Sequence, residues 1–512
     1  MNELEDYAIK KVAKGGFIIF IGIIFSSIAF LFYKILAARY LGPADYGLLT
    51  LGITILNVAS LFGLVGIHQS IGKFINHYLA KKQYEKVKGL LISSFIITIS
   101  LSIVILLFLY YSSNIIAEKI FNIQGLNTII AIFSLGVPFS VLTQLLKYYF
   151  FAFKKPEFVI ISESVFEKIL NLVLLIAVIS VSASLYAISW VYVVSLIVSF
   201  MIGTLLLTSK VKDILKKSLK PKFDFKQLIS FSSPLILVGI LGTALAWTDT
   251  IFIGIFKSST DVGIYNVAYI IASALMIFWM SFGDIFYPII SELYAKKAKN
   301  LIRKNFEIVS RWIFIIAFPL FIIVLVFPSP IISLVFGEDY QGAALPLSIL
   351  IIGYFIITAF GLAEQGLRTF KKTKFLGVLT LFVFLMNVIL NIILIPLIGI
   401  VGAAIATTFS LLILSLVRLT YFRRMLKFGY NKILYSKFIF SSMIALVTFF
   451  YGIRLVNAYN IYIFISALAA YMLIYFILLI IFKSFSEDDI AILEAVERKI
   501  GIEFTVLKKL LR

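Results

Sequence analysis

Residues 375–397 read FLGVLTLFVFLMNVILNIILIPL, an uncharged run that begins directly after Lys371, Lys372 and Lys374. At about 1.5 Å of rise per residue, a helix of this length spans about 35 Å, enough to cross the roughly 30 Å hydrocarbon layer of a bilayer. Working outward, similar runs recur at 15–37, 46–68, 89–111, 126–150, 158–180, 183–207, 228–254, 262–287, 311–335, 343–365, 400–422, 438–456 and 460–482. The expected fold is an all-α polytopic membrane protein with about fourteen transmembrane helices. The first run exceeds a signal-peptide core and no A-x-A site follows it, so it is expected to remain as a membrane helix.

Composition supports the same class. The 512 residues are 62% hydrophobic and 14% charged, with a mean hydropathy of +1.07. Soluble domains average about 45–50% apolar and about 25% charged, so too little polar surface exists here to cover one. The chain has no cysteine and only two histidines, His68 and His77, which removes thiolate chemistry and makes a metalloenzyme an unsuitable reading. No Walker A, HExxH or GxSxG pattern is present. The expectation is a protein that is not an enzyme, with no cofactor and no metal.

The net charge of +21 sorts by position. Lysines and arginines cluster before the first span (Lys10, Lys11, Lys14) and after the second (Lys73, Lys81, Lys82, Lys86, Lys88), fourth (Lys154, Lys155) and sixth (Lys210 to Lys226). They cluster again after the eighth (Lys296 to Lys304), tenth (Arg368 to Lys374) and twelfth (Arg423 to Lys437), whereas the alternate loops hold only Arg39, Lys119, Lys257 and Arg454. The positive-inside rule then places both termini in the cytoplasm and explains the basic excess without a nucleic-acid partner.

An internal repeat accompanies this alternation. Asp45-Tyr46-Gly47 and Ala80-Lys81-Lys82 flank the second span, as Asp261-Val262-Gly263 and Ala295-Lys296-Lys297 flank the eighth. Phe153-Lys154-Lys155 and Phe370-Lys371-Lys372 open the fifth and eleventh at a similar offset. Six spans per copy give both copies the same orientation, related by a pseudo-two-fold along the membrane normal. The expected organisation is a six-helix bundle at 1–222, a second at 223–437, an added helix pair at 438–482 and a cytoplasmic amphipathic tail at 483–512. The Lys-rich segment Ser209–Gln227, with Pro221, reads as the linker between bundles. In the tail, Ser486 resembles an N-cap, and Ile490, Leu493, Val496 and Ile500 recur at helical spacing.

Two parallel repeats suit an alternating-access transporter with its substrate site between the halves. Charges inside the apolar spans are candidates for that site because they are costly in hydrocarbon. Lys34, Lys147, Glu163, Glu167, Lys168, Asp249, Asp284 and Glu364 are such charges. Lys34 and Lys147 lie near span ends and can snorkel to headgroups. Asp284 and Glu364 lie near inner ends, where capping or pairing with loop lysines competes with a gating or coupling role. Glu163, Glu167 and Asn171 follow at i, i+4 and i+8, one polar stripe deep in the fifth span with Lys168 flanking it. Packing by a buried ion pair is the bland reading of that stripe; a lining of the substrate cavity is preferred. Asp249 lies at a depth equivalent to Lys34 and is expected to be able to pair with it. Pro234 is expected to kink the seventh span, with Gly239 and Gly242 as packing positions. His68 reads as interfacial.

Three motifs now matter together. Ala38-Arg39-Tyr40-Leu41-Gly42-Pro43-Ala44-Asp45-Tyr46-Gly47 resembles the R-x-L-G-x-x-x-Y-G loop of polysaccharide-biosynthesis flippases, Wzx-type members of the multidrug/oligosaccharidyl-lipid/polysaccharide exporter superfamily. Gly402-Ala403-Ala404-Ile405-Ala406-Thr407 resembles their G-A-A-I-A-T element, and Gln365-Gly366-Leu367-Arg368 with Lys372-Thr373-Lys374 their helix 10–11 junction. The resemblance spans nearly the whole chain. It implies movement of a polyprenyl-linked sugar or oligosaccharide to the outer leaflet of a prokaryotic cell membrane. The lipid-linked glycan and membrane lipids are the implied partners, together with polysaccharide polymerase or glycosyltransferases of the same pathway. In that frame Lys168 and Lys34 would neutralise a phosphate. Glu163, Glu167 and Asp249 would bind sugar hydroxyls or carry a coupling H⁺ or Na⁺, and Asp284, Glu364 and Arg39 are candidates for gating or coupling. The alternatives are a cation-coupled multidrug or organic-cation antiporter of the same superfamily and a polyprenyl-donor membrane glycosyltransferase. The glycosyltransferase would need external carboxylates, for which only Glu338-Asp339 comes near.

Overall fold

The computed structural model describes residues 3–64, 66–181, 184–211, 220–222, 244–427, 429, 432–456 and 461–485. Pro234, Gly239, Gly242 and the tail from Ser486 lie outside the described residues, as do the side chains of Glu163, Asp284 and His68. Every described element is helical, as expected. The helices are α1 (Glu3–Leu64), α2 (Ile67–Ala80), α3 (Tyr84–Ile115), α4 (Leu126–Ala152), α5 (Pro156–Val159), α6 (Lys168–Ile179) and α7 (Leu185–Val211). They continue as α8 (Ala244–Phe256), α9 (Ser259–Ala274), α10 (Met276–Ala295), α11 (Lys299–Val326), α12 (Pro328–Val335) and α13 (Ala344–Phe360). The series closes with α14 (Leu362–Thr369), α15 (Thr373–Ile398), α16 (Ile400–Leu426), α17 (Lys432–Val456) and α18 (Ile461–Ile481). Among the described residues ten helices are long and apolar enough to cross a membrane, or eleven when α9 and α10, bent by 41°, are taken as one span.

The apolar part of α1, Phe25–Leu64, is 40 residues long, about twice what one crossing needs. It is two spans joined at Gly42, whose φ of 72° and ψ of 173° leave the helical region. Glycine occupies that conformation without steric cost, and Pro43 restarts the next helix with its fixed φ. The expected loop between the first two spans is therefore a single hinge residue. The expected seventh span is described only as α8.

The chain forms two compact units, Met1–Asn266 with Asn391–Ile400, and Val267–Leu390 with Val401–Arg512. In the first, small residues let α1 and α4 approach closely: a Cβ on Gly52 would stand 2.4 Å from Phe133, and one on Gly63 2.7 Å from Val141. Ser60 and Ser140 hydrogen-bond across the same contact at 3.1 Å, and Ser94 joins Tyr149 at 2.7 Å between α3 and α4. Lys222, from the expected linker, donates its N–H to the Glu85 carbonyl at 3.1 Å and ion-pairs with the Glu85 carboxylate at 2.6 Å. Its carbonyl fills the space a Gly89 side chain would need. The linker is docked on the start of α3 at this point.

The second unit packs by aromatic rings. Phe286, Phe306, Phe370 and Phe422 share one buried cluster on α10, α11, α14 and α16. Phe321 stacks on Phe355 at 4.4 Å between α11 and α13. The added pair α17 and α18 sits on α11: the Tyr471 hydroxyl donates to the Pro319 carbonyl at 3.3 Å and Tyr475 to Ile315 at 3.1 Å.

Candidate functional site

The fifth span, expected at 158–180, is helical over Pro156–Ile179 but not uniformly α-helical. Residues Ile160–Glu167 form a π-helix, and α-helical geometry resumes at Lys168. A π-turn widens the backbone and shifts side-chain spacing; Glu167, at its end, and Asn171 on α6 keep the expected i, i+4 relation. These two residues are 4% and 0% exposed. Both amide atoms of Asn171 lack a hydrogen-bond partner among the described residues. Buried amides are seldom left so, which marks this position as polar and open to a hydroxyl donor or acceptor.

Lys168 Nζ lies 2.5 Å from Glu167 Oε1 and 4.4 Å from the centre of the Phe30 ring. Lys34, one turn after Phe30 on α1, places its own Nζ 5.0 Å from the same ring. The ring stacks on Tyr33 at 5.8 Å, and the buried Tyr33 hydroxyl is also unpartnered among the described residues. Two ammonium groups thus approach one aromatic ring, and one of them also meets the Glu167 carboxylate. The cluster gathers two ammonium groups, the buried Glu167 carboxylate, and the Asn171 amide and Tyr33 hydroxyl, which lack a partner among the described residues. Cation–π contact stabilises each ammonium only modestly, so the pair retains its attraction for an anion. Lys34 therefore stands beside the same ring as Lys168.

The expected pairing of Lys34 with Asp249 is not formed. Asp249 on α8 instead accepts a very short hydrogen bond from the Tyr265 hydroxyl and one of 2.8 Å from Asn391 Nδ2. Equivalent depth in two repeats does not bring two side chains together; α9 and the end of α15 lie closer to Asp249. Asp249 is thus a buried carboxylate that accepts from two neutral donors.

Glu364 is also different from expectation. It pairs with two arginines rather than with loop lysines: Arg368 Nη2 at 2.5 Å and Arg418 Nη1 at 2.6 Å. Arg418 continues to the Thr380 hydroxyl at 3.3 Å, so α14, α15 and α16 are tied through one carboxylate. Arg418 lies inside an apolar span and is itself an intramembrane charge, one more than the eight expected from the sequence. Arg39 is exposed, three residues before the Gly42 hinge.

The hinge leads to a second feature. Gly47, five residues on, crosses Gly263 backbone to backbone. A Cβ on Gly47 would stand 1.7 Å from the Ser259 carbonyl oxygen, and one on Gly263 2.1 Å from that of Pro43. Pro43 and Gly47 are the repeat equivalents of Ser259 and Gly263, so the contact is symmetric about the repeat. Beside it, the Tyr46 hydroxyl donates to Asn266 Oδ1 at 3.0 Å.

Comparison with known proteins agrees with this architecture. The chain is similar to an uncharacterised membrane protein of Methanocaldococcus jannaschii, 26% identical over 77% of this chain and 80% of that one. It is similar to the probable low-salt glycan biosynthesis flippase Agl15 of Haloferax volcanii, 28% identical over 44% of this chain and 48% of the relative. Among solved structures, lipid II flippase MurJ in an inward closed conformation shares the fold with a TM-score of 0.67. That match is 16% identical and covers 91% of this chain and 98% of MurJ. An inward-facing multidrug resistance MATE family transporter of the MOP superfamily gives 0.60, at 13% identity over 80% and 98%. A MatE family model matches residues 234–393, and the model described as polysaccharide biosynthesis protein matches residues 12–294, more than half of the sequence. The chain belongs to the polysaccharide biosynthesis protein family.

Proposed function

We propose that the chain is an alternating-access flippase that carries a polyprenyl-linked sugar or oligosaccharide from the cytoplasmic to the external leaflet. The observation that carries this reading is the meeting of Lys34 and Lys168 at one Phe30 ring, beside the buried Glu167, Asn171 and Tyr33. A sugar phosphate suits this cluster. Its phosphate would accept from the two ammonium groups, and its hydroxyls would satisfy the Asn171 amide and Tyr33 hydroxyl. The polyprenyl tail needs no polar site and stays in lipid. The naming of Agl15 as a glycan biosynthesis flippase and of MurJ as a lipid II flippase supports the same class of cargo. A multidrug antiporter remains the second reading because of the MatE match at 234–393, and organic cations would be repelled by the two lysines.

Transport of this kind breaks no covalent bond, so the protein acts as a transporter rather than an enzyme. Asp249, between Tyr265 and Asn391, is the group best suited to take a coupling H⁺ or Na⁺. The charge alternation supports a prokaryotic cell membrane location with both termini cytoplasmic, where the polymerase or glycosyltransferases of the pathway would supply and receive the glycan.

The test uses Lys168→Ala, Lys168→Arg and Glu167→Gln. Flipping of a fluorescent lipid-linked oligosaccharide in proteoliposomes is measured per folded molecule, with detergent thermal stability alongside. Loss of flipping in Lys168→Ala, partial rescue in Lys168→Arg and impaired flipping in a folded Glu167→Gln are expected. Normal flipping per folded molecule in Lys168→Ala and Glu167→Gln would remove the cluster from the transport path.

A further inference from the structure

Helix ends on the two sides of this protein solve one backbone problem with different residues. Beyond the C-termini of α2, α4, α10, α14, α16 and α18, the chain turns through a left-handed residue, at Lys82, Lys154, Lys297, Lys371, Lys427 and Lys483. Their φ values lie between 48° and 58°, and all six side chains are exposed. At five of these ends the next N–H reaches back to the sixth carbonyl. Gln83 bonds Tyr78 at 2.9 Å, Lys155 bonds Phe150 at 2.8 Å, and Ala298, Lys372 and Ser484 repeat the pattern. This is the Schellman closure, whose left-handed position normally belongs to glycine.

The alternate ends obey that preference. Left-handed positions on the side poor in lysine are Gly42, Asn122, Gly125, Gly337 and Gly399. The remaining one, Gly66, interrupts the chain before α2. With 29 glycines in the sequence, lysine at six such positions is not forced by supply. Nor is it explained by the helix dipole alone, because the C-terminal end at Gly337 presents the same dipole with no basic residue in its last turn. What differs between the two sets is the side of the membrane, which the charge alternation makes cytoplasmic for all six lysines.

We propose that these six left-handed lysines are docking points for anionic lipid headgroups of the cytoplasmic leaflet. The Schellman turn fixes each Cα at the helix end while the flexible stem carries the ammonium toward the headgroup plane. Anionic leaflets attract juxtamembrane cations, and the lysines accept a strained backbone to supply them. Lys82 and Lys297, and likewise Lys154 and Lys371, occupy equivalent places in the two repeats, so each copy carries the same pair.

The experiment compares wild type with two six-fold variants, Lys→Gly and Lys→Asn at positions 82, 154, 297, 371, 427 and 483. Both replacements tolerate the left-handed conformation. Thermal stability and retained lipid are measured in nanodiscs of phosphatidylcholine alone and of phosphatidylcholine with phosphatidylglycerol. Wild type should gain stability and retain phosphatidylglycerol in the anionic discs, with association weakened roughly fivefold for each lysine removed. In neutral discs the Lys→Gly variant should be at least as stable as wild type. An unchanged anionic-lipid increment in both variants would overturn the proposal. So would a Lys→Gly variant already less stable than wild type in neutral discs, because the lysines would then be caps and nothing more.

Discussion

Gly47→Ala is the substitution with the most specific consequence. The added Cβ would lie 1.7 Å from the Ser259 carbonyl oxygen, 2.6 Å from its carbon and 3.1 Å from the Gly263 nitrogen. All three are backbone atoms, so no rotamer change relieves the overlap. Ordinary contact requires the two segments to part by roughly 1.5 Å. Forcing an extra methyl into close packing costs about 1–3 kcal/mol, which corresponds to about a 5- to 150-fold shift in population away from the joined arrangement. The junction is expected to close and reopen during transport, so flipping should fall by about tenfold or more while the protein still folds. Gly263→Ala should behave alike, since its Cβ would meet the Pro43 oxygen at 2.1 Å. Gly72→Ala is the control: nothing lies within 4 Å of its Cβ, and alanine in a helix should stabilise by about 0.5–1 kcal/mol. The absence of native cysteine allows a single reporter at Val262→Cys, a position 1% exposed beside the junction. A membrane-impermeant maleimide should label it slowly alone and faster when Gly47→Ala is added. Equal labelling rates with unchanged flipping would refute an opening of the Gly47–Gly263 contact during transport.

Three further outcomes follow from the geometry. Glu364→Gln should lower stability by about 3–5 kcal/mol because it leaves the Arg418 guanidinium without its carboxylate, Arg418→Met should cost less because Glu364 keeps Arg368, and the double variant should recover much of the Glu364→Gln loss in a detergent melting series. Asp249→Asn should fold, keeping the Tyr265 and Asn391 contacts sterically, and should abolish the dependence of flipping on an imposed H⁺ or Na⁺ gradient measured in proteoliposomes. Reporters fused after Asn122 or Asp339 should read as external and those after Lys217 or Lys299 as cytoplasmic; an external Lys217 would invert the whole topology.

The helices were legible because hydrocarbon leaves a spanning chain few choices: the run at 375–397 became α15, Thr373–Ile398, almost residue for residue. The hinge at Gly42 was legible in part, since Gly-Pro announces a break but not that one residue suffices. The π-helix at Ile160–Glu167 was not, because a hydrophobic pattern read at 3.6 residues per turn carries no signature of a local widening. Site residues were visible as charges and invisible as pairs. Glu167 with Lys168 adjoins in sequence and was found together. Asp249 with Asn391, 142 residues apart, and Glu364 with Arg418, 54 apart, depend on which helices pack side by side. Phe30 and Tyr33 had no signal at all among so many aromatics; only the two lysines above one ring single them out.

The central claim is tested most directly by reconstituting the wild-type protein in proteoliposomes that hold a fluorescent polyprenyl-phosphate oligosaccharide in both leaflets, then adding a membrane-impermeant quencher. Protein-dependent conversion of the protected inner-leaflet pool into a quenchable one, abolished by Lys34→Ala with Lys168→Ala, is the result expected of a lipid-linked glycan flippase. A protected pool that stays constant while the same vesicles exchange an organic cation for H⁺ or Na⁺ would contradict it.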